Sequence, residues 1–273
     1  MQRSELPPIV DADWLVAHLG AADLVVGDVR GPNAHARGHI PGSRPLVLGS
    51  PPPGADEAAV AELAKEVALR LRRHGITGEE RLVVVDRGDG VGAMPAAQMA
   101  ELAGHPRVAI LLGGIAAWQG ELAQGTVELE PVREASLTAN PRALPTRQEL
   151  ASRLDDPTLT ILDVRREDEY TGKHANACDP RHGHIPGAKR VQVDTLFAPE
   201  GGLLPPERIR ELVGAPEGAD VVAYCHSGSR SALATLALRS AGYDARNYAG
   251  SWHEWSRFPE LPLERQGRAE PGK

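Results

Sequence analysis

The sequence predicts an α/β chain that uses one sheet-and-helix plan twice. Two observations carry that expectation. Five landmarks recur in the same order at nearly constant spacing: VVGDVR (ending Arg30) and TILDVR (ending Arg165), GHIPG at residues 38–42 and 183–187, RLVVVD (ending Asp86) and DVVAYC (ending Cys225), AGH (103–105) and AGY (241–243), and LLGGIAAW (ending Trp118) and YAGSWHEW (ending Trp255). The offsets are 135, 145, 139, 138 and 137 residues. Short Val/Leu/Ile runs also alternate with helical stretches, which is the pattern of a parallel sheet covered by helices on both faces.

In the first copy, residues 24–28, 82–86 and 108–112 are predicted strands, and residues 57–74 and 96–103 are predicted helices. In the second, strands are expected over 160–163 and 221–225, and helices over 147–154, 207–213 and 231–241. Gly104 and Gly242 directly follow two of the helical stretches, where a C-terminal cap belongs. Residues 125–145 carry three prolines and no sustained period. The expected organisation is therefore a first domain over 1–125, a linker over 126–145 and a second domain over 146–273. GHIPG is a turn, which makes His39 and His184 turn histidines, not bases.

Composition narrows the function classes. The 273 residues carry 30 Lys+Arg against 37 Asp+Glu, a formal charge of −7, which argues against binding nucleic acid through its phosphates. Aromatic residues are only 4% of the chain, so Ala, Val and Leu must do most of the packing. The amino terminus lacks the apolar core of a signal peptide, and no apolar run is long enough to span a membrane. Two cysteines, Cys178 and Cys225, cannot make a disulfide framework. A cytoplasmic, reduced protein with no membrane association is expected.

The chemistry is predicted in one loop, Cys225-His226-Ser227-Gly228-Ser229-Arg230-Ser231, between a buried strand and a helix. There the loop amides and the free amides of the helix's first turn converge on the sulfur. That nest favours the thiolate, Arg230 is expected to add a positive charge, and the same nest would hold an anionic substrate. In the first copy the loop reads Asp86-Arg-Gly-Asp-Gly-Val-Gly92, so a carboxylate occupies the position of the nucleophile.

These residues resemble the tandem-domain rhodanese family. Ala245–Trp255 fits its carboxy-terminal signature, His184–Ala188 its other signature, and C-x-x-G-x-x-S at Cys225 its active-site pattern. The resemblance runs from about Asp11 to Arg257 and implies two tandem rhodanese-like domains, the first catalytically silent and walling the active-site cleft. It implies a sulfurtransferase: Cys225 takes a sulfane sulfur from a small-molecule donor as a persulfide and passes it to a thiophilic acceptor, cyanide or a small or protein thiol. His226–Ser231 would bind substrate and Asp163 would orient the loop. Trp252 and Glu254 would pack beside the cleft, and no metal or organic cofactor is called for.

Thiosulfate is the expected donor because its two charges match the nest and Arg230. 3-Mercaptopyruvate is the alternative: in the resembled family thiosulfate users carry basic loop residues and 3-mercaptopyruvate users small neutral ones. The loop CHSGSRS is intermediate, and Glu169, where many two-domain members carry a substrate-binding arginine, removes a charge that would bind either donor. A non-catalytic binding module is the alternative of a different class. Phosphatase chemistry fits poorly, because Cys225 and Arg230 give C-x4-R where C-x5-R is needed and no general acid is in view. The segment 173–184 resembles a metal-ligand set at His174, Cys178, His182 and His184, but Pro180 and Gly183 break any helix. A solvent-exposed loop is expected there, with Cys178 an oxidation target or a partner for Cys225.

Overall fold

A computed structural model describes residues 6–49, 54–88, 90, 92–174, 176–199, 202–216, 218–265 and 268–270, the last three by their backbone. The amino-terminal residues 1–5, Asp89 and Val91 of the first loop and Ala175 of the segment 173–184 lie outside the described residues. The chain divides into two compact units, Met1–Pro51 with Ala58–Ala143, and Pro52–Glu57 with Leu144–Lys273.

Unit 1 contains β1 (Ile9–Val10), α1 (Ala12–His18), β2 (Leu24–Asp28), α2 (Pro32–Arg37), β3 (Arg44–Pro45), α3 (Glu57–Arg73), β4 (Arg81–Val85), α4 (Ala93–Leu102) and β5 (Val108–Leu111). Its five strands run parallel in the order β1-β5-β4-β2-β3. Helix α1 begins where the Asp11 carboxylate accepts the Trp14 amide at 2.7 Å. Along α3, Val60, Ala64, Val67 and Leu71 form a single buried stripe at helical spacing.

Unit 2 contains α5 (Arg147–Ser152), β6 (Leu159–Asp163), α6 (Glu167–Tyr170), β7 (Lys189–Arg190), α7 (Pro206–Val213), β8 (Asp220–Tyr224), α8 (Ser229–Ser240), β9 (Asp244–Asn247), α9 (Ser251–Trp255), β10 (Leu263–Arg265) and β11 (Arg268–Glu270). Its sheet is parallel in the order β7-β6-β8-β9, with β10 and β11 a separate antiparallel pair. Alternate residues of β8 supply opposite cores, as the two-residue period of a strand requires. Val221, Ala223 and then Cys225 pack with Ile209 and Val213 of α7 and with Ala234, Ala237 and Leu238 of α8. Val222 and Tyr224 pack instead with Leu150 of α5 and with Trp252 and Trp255 of α9. Helices thus cover both faces, and Cys225 leaves the sheet on the α7/α8 side.

The segment 126–140 is not a free tether. It is strapped along unit 1 by backbone bonds from Val132 to Arg72 O (2.9 Å), Ser136 to Thr77 O (2.7 Å) and Asn140 to Leu102 O (2.8 Å). The approach is so close that a Cβ on Gly104 (φ +94°) would stand 1.8 Å from Thr138 O. Glycine there serves both the end of α4 and the strap.

One device is built into both units. Arg165 donates to Asp163 through its backbone N (2.9 Å), Nε (2.9 and 3.0 Å) and Nη2 (2.6 Å), and its Nη2 also reaches Gly183 O at 2.7 Å. Arg30 repeats this on Asp28 and Gly38 O, with Nη2 at 2.6 Å from each. Each fork ties the end of a central strand to the first glycine of G-H-I-P-G. The turn histidines then settle by stacking, His39 on His35 and His184 on Tyr170, both at 3.7 Å between ring centres. Because the Arg165 side chain is 2% exposed and that of Arg30 13%, the second fork sits in the lower-dielectric environment. Arg165→Met should therefore destabilise the chain by about 3–5 kcal/mol in urea unfolding by stranding a buried carboxylate. Arg30→Met should cost less, and adding Asp163→Leu to Arg165→Met should recover part of the loss.

Candidate active site

Cys225 follows β8 directly and is 1% exposed. Its amide donates to Ser251 Oγ (3.1 Å), and its carbonyl accepts from the Trp252 amide (3.0 Å). The sulfur receives the Gly228 amide at 3.1 Å and the Ser231 hydroxyl at 3.4 Å, with Ser251 Oγ at 4.0 Å. Gly228 can aim its amide at the sulfur because it takes φ +91° immediately before α8, and a Cβ there would stand 2.6 Å from Ala249 O. Asn247 Nδ2 holds the Gly228 carbonyl at 3.2 Å. Ser227 and Ser229 are exposed. Ser251, at φ +54°, is the one non-glycine residue of positive φ among the described residues, a strained position at the centre of the site.

The first unit shows what this strand–loop–helix geometry does to an anion. Asp86, also buried, accepts the amides of Gly88 (2.8 Å), Gly92 (3.2 Å) and Ala93 (3.2 Å). A carboxylate therefore fills the nest at the start of α4. Gly114 matches Ser251, and a Cβ there would stand 2.7 Å from Asp86 Oδ1, so the larger residue has no room.

Two expectations change. Arg230 does not add a free positive charge, because it forks onto Glu169 with both bonds at 2.9 Å. Burial alone would raise the Glu169 pKa, but the bond to Arg230 and its charge hold it below the usual carboxylate range. The same bond raises the pKa of Arg230. The net charge of the pair is zero. Asp163 is committed to Arg165 and not to the loop. It acts one residue short of Cys225, on Tyr224, whose phenol is pushed well above its ordinary pKa by burial and by the Asp163 charge. Trp252 is a core residue, its Nε1 donating to Arg181 O (3.2 Å) and its ring 4.9 Å from the Arg165 guanidinium. Glu254 accepts from Tyr248 Oη (2.8 Å) and pairs with Arg147 (3.0 Å).

The ligand set suggested for residues 173–184 is not the one assembled. His184 is stacked in its turn, with Nδ1 on Tyr170 O, and His182 O receives Arg265 Nε at 2.8 Å. Cys178 instead meets Asp179, His226 and His253. The segment is also no loose solvent loop: Arg181 binds the carbonyls of Trp255 (2.8 Å), Ser256 (2.9 Å) and Leu261 (2.7 Å). Sequence reasoning missed Ser251, Asn247, Asp179 and His253, and the pairing of Glu169 with Arg230. Ser251 and His253 lie inside the YAGSWHEW landmark and, with Asn247, inside the signature match at 245–255, the signals that pointed towards them.

The family model for the rhodanese-like domain matches residues 11–121 and 146–258. The thiosulfate sulfurtransferase of Pseudomonas aeruginosa is 30% identical over 280 residues, covering 96% of this chain and 98% of its own. The probable 3-mercaptopyruvate sulfurtransferase of the same organism is 31% identical over 284 residues, covering 93% and 97%. Among solved structures, the crystal structure of a probable thiosulfate sulfurtransferase superposes with a TM-score of 0.68 at 33% identity, covering 89% of this chain and 98% of that one.

The geometry at Gly228 makes a local prediction. Gly228→Ala should lower the unfolding free energy in urea by about 1–3 kcal/mol through positive φ and the clash with Ala249. Gly214→Ala, at φ +63° with no atom within 4 Å, should cost no more than about 1 kcal/mol.

Proposed function

Because the chain belongs to the rhodanese-like family, which its two halves match in turn, we propose that it is a thiosulfate sulfurtransferase whose Cys225 carries the sulfur as a persulfide. The observation that carries this reading is the buried Cys225 sulfur receiving the Gly228 amide at the start of α8, at the site where the first unit holds a carboxylate with three amides. The Cys225 thiolate attacks the outer sulfur of thiosulfate. The donor's S–S bond breaks, its electron pair leaves with sulfite, and a new S–S bond forms on Cys225. The Gly228 amide, the Ser231 hydroxyl and the positive end of α8 stabilise the negative sulfur. Cyanide or a small or protein thiol then attacks the terminal sulfur, and the Cys225 thiolate returns. Electrons balance within each half-reaction.

The first unit is silent on this reading, since Asp86 offers no sulfur and already fills its own nest. The reduced cytoplasm suits two free cysteines, and among the described residues no helix is long and apolar enough to cross a membrane. 3-Mercaptopyruvate is the second reading, favoured by one observation: with Arg230 taken by Glu169, the nest has only amides and hydroxyls to offer, which suits a donor carrying a single carboxylate.

The test is the intact mass after incubation with each donor separately. Thiosulfate should add one sulfur to the wild type and none to Cys225→Ser. No gain from either donor would sink the reading and leave a binding-only module, and an equal gain in the variant would sink it by placing the sulfur elsewhere than on Cys225. Gain from 3-mercaptopyruvate alone would select the second donor. Glu169→Gln, by releasing the Arg230 charge, should raise kcat/KM for dianionic thiosulfate by about 2- to 5-fold at low salt, a partly exposed interaction of about 0.5–1 kcal/mol. The gain should shrink as salt is added.

A further inference from the structure

Beside the Cys225 loop, four side chains from three segments converge: Cys178 and Asp179, His226, and His253. Cys178 Sγ lies 3.7 Å from His226 Nε2, 3.8 Å from His253 Nδ1 and 3.8 Å from Asp179 Oδ1. Asp179 in turn stands 3.1 Å from His226 Nε2 through Oδ2 and 3.0 Å from His253 Nδ1 through Oδ1. All four donor atoms fall within 4.8 Å of one another. We propose that Cys178, Asp179, His226 and His253 form a binding site for a borderline-soft divalent cation of the zinc type.

The spacing carries the argument. For a tetrahedral ion with metal–sulfur near 2.3 Å and metal–nitrogen or –oxygen near 2.0–2.1 Å, the sulfur edges of the tetrahedron come to about 3.5 Å and the nitrogen–oxygen edges to about 3.3 Å. The sulfur edges of 3.7–3.8 Å, and the nitrogen–carboxylate separations of 3.0–3.1 Å, one to each Asp179 oxygen, are within a few tenths of an ångström of those lengths, and the remaining separation, between the two imidazoles, falls within 4.8 Å. The donors also balance charge: one thiolate and one carboxylate with two neutral imidazoles make a dication neutral, the thiol proton going to solvent. One thiolate, two imidazoles and one carboxylate suit zinc better than magnesium or calcium, which take oxygen ligands.

The supporting shell is built. The Asp179 side chain is 2% exposed, so its orientation is set by packing. The His253 amide donates to His226 O at 2.9 Å, fixing two ligand-bearing residues to each other. Arg257 donates to Cys178 O at 2.6 Å and to His253 O, and so ties the backbone of a third, Cys178, to that of His253, with Nη1 3.5 Å from Asp179 Oδ1. Such outer contacts hold ligands in place before an ion arrives. The site needs no sulfur on Cys225. Its one consequence for the loop is that an ion would pin His226, the residue after Cys225.

Cobalt(II) reads the site directly. The chelator-treated full chain, titrated with cobalt(II), should bind one equivalent with the visible bands of a tetrahedral ion and a thiolate-to-cobalt charge-transfer band, and zinc should displace it. Cys178→Ser should abolish the charge-transfer band and weaken binding at least about 100-fold. His253→Gln, at a partly exposed position, should weaken it comparably with an unchanged far-ultraviolet spectrum. Cys225→Ser should keep stoichiometry and bands. Binding without a charge-transfer band, bands that survive Cys178→Ser, or bands that vanish in Cys225→Ser would each overturn the proposal, as would no binding. Sulfur uptake is measured on Cys225 by mass, so either proposal can fail while the other stands.

Discussion

The structure of each unit depends on a guanidinium forked onto a strand-end aspartate, fully buried in the second unit and partly exposed in the first. A charge as enclosed as Arg165 survives only where its hydrogen-bonding capacity is met, and removing one partner of such a pair costs several kcal/mol. The fork onto Asp163 and Gly183 O meets it, and in doing so fixes three things at once. It sets the end of β6, the entry of the G-H-I-P-G turn, and the packing of Tyr224 and Trp252, whose rings lie 5.5 and 4.9 Å from the guanidinium. Tyr224 precedes Cys225 and Trp252 donates to its carbonyl, so the geometry of the nucleophile is inherited from a salt bridge that never touches it. The less enclosed copy at Arg30 shows that the fork belongs to the fold and not to the chemistry.

On that scaffold the nest is constant and its occupant varies. The amides of Gly88, Gly92 and Ala93, among the described residues, on the Asp86 carboxylate, and an amide with a hydroxyl on the Cys225 sulfur, are two solutions to one electrostatic problem at the start of a helix. A carboxylate satisfies the nest permanently with its own charge. A sulfur satisfies it only as thiolate or persulfide, which makes the same donors useful over a reaction cycle. Glu169 then limits how much extra field reaches the sulfur, because its fork cancels the charge of Arg230 close to its source. Preorganised dipoles, not a net cation, define the site.

What was legible in the sequence is what lies close along the chain or repeats. The D-V-R and G-H-I-P-G landmarks, the long central strands and the cysteine loop are local, and duplication gave each an internal control. Strands β4 and β8 end one residue short of the predicted limits, leaving Asp86 and Cys225 in the loops. The edge strands β3 and β7 have two residues each, too few for any alternation to show. Helix α9 is five residues long and starts at a serine of positive φ, which no propensity favours. The pairing of Arg230 with Glu169 spans 61 positions, and Cys178 reaches His253 across 75. Such contacts are set by packing, and composition could suggest ligands in residues 173–184 but not choose among its histidines.

The short helix α9 joins the two sites. Its first three residues read consecutive positions of the loop: Ser251 Oγ accepts the Cys225 amide, the Trp252 amide reaches Cys225 O, and the His253 amide reaches His226 O. Cys225 turns its side chain into the nest, and His226, in the bend that follows, places its imidazole against Asp179. Any displacement of α9 therefore moves the wall of the sulfur site and the imidazole of the outer cluster together. Trp252, between Ser251 and His253, is buried against the guanidinium of Arg165, so the fork that sets the strand end also anchors the helix that couples the sites. A cation at the outer cluster would act on the loop through this rigid connection, by restricting His226, without contact with the sulfur.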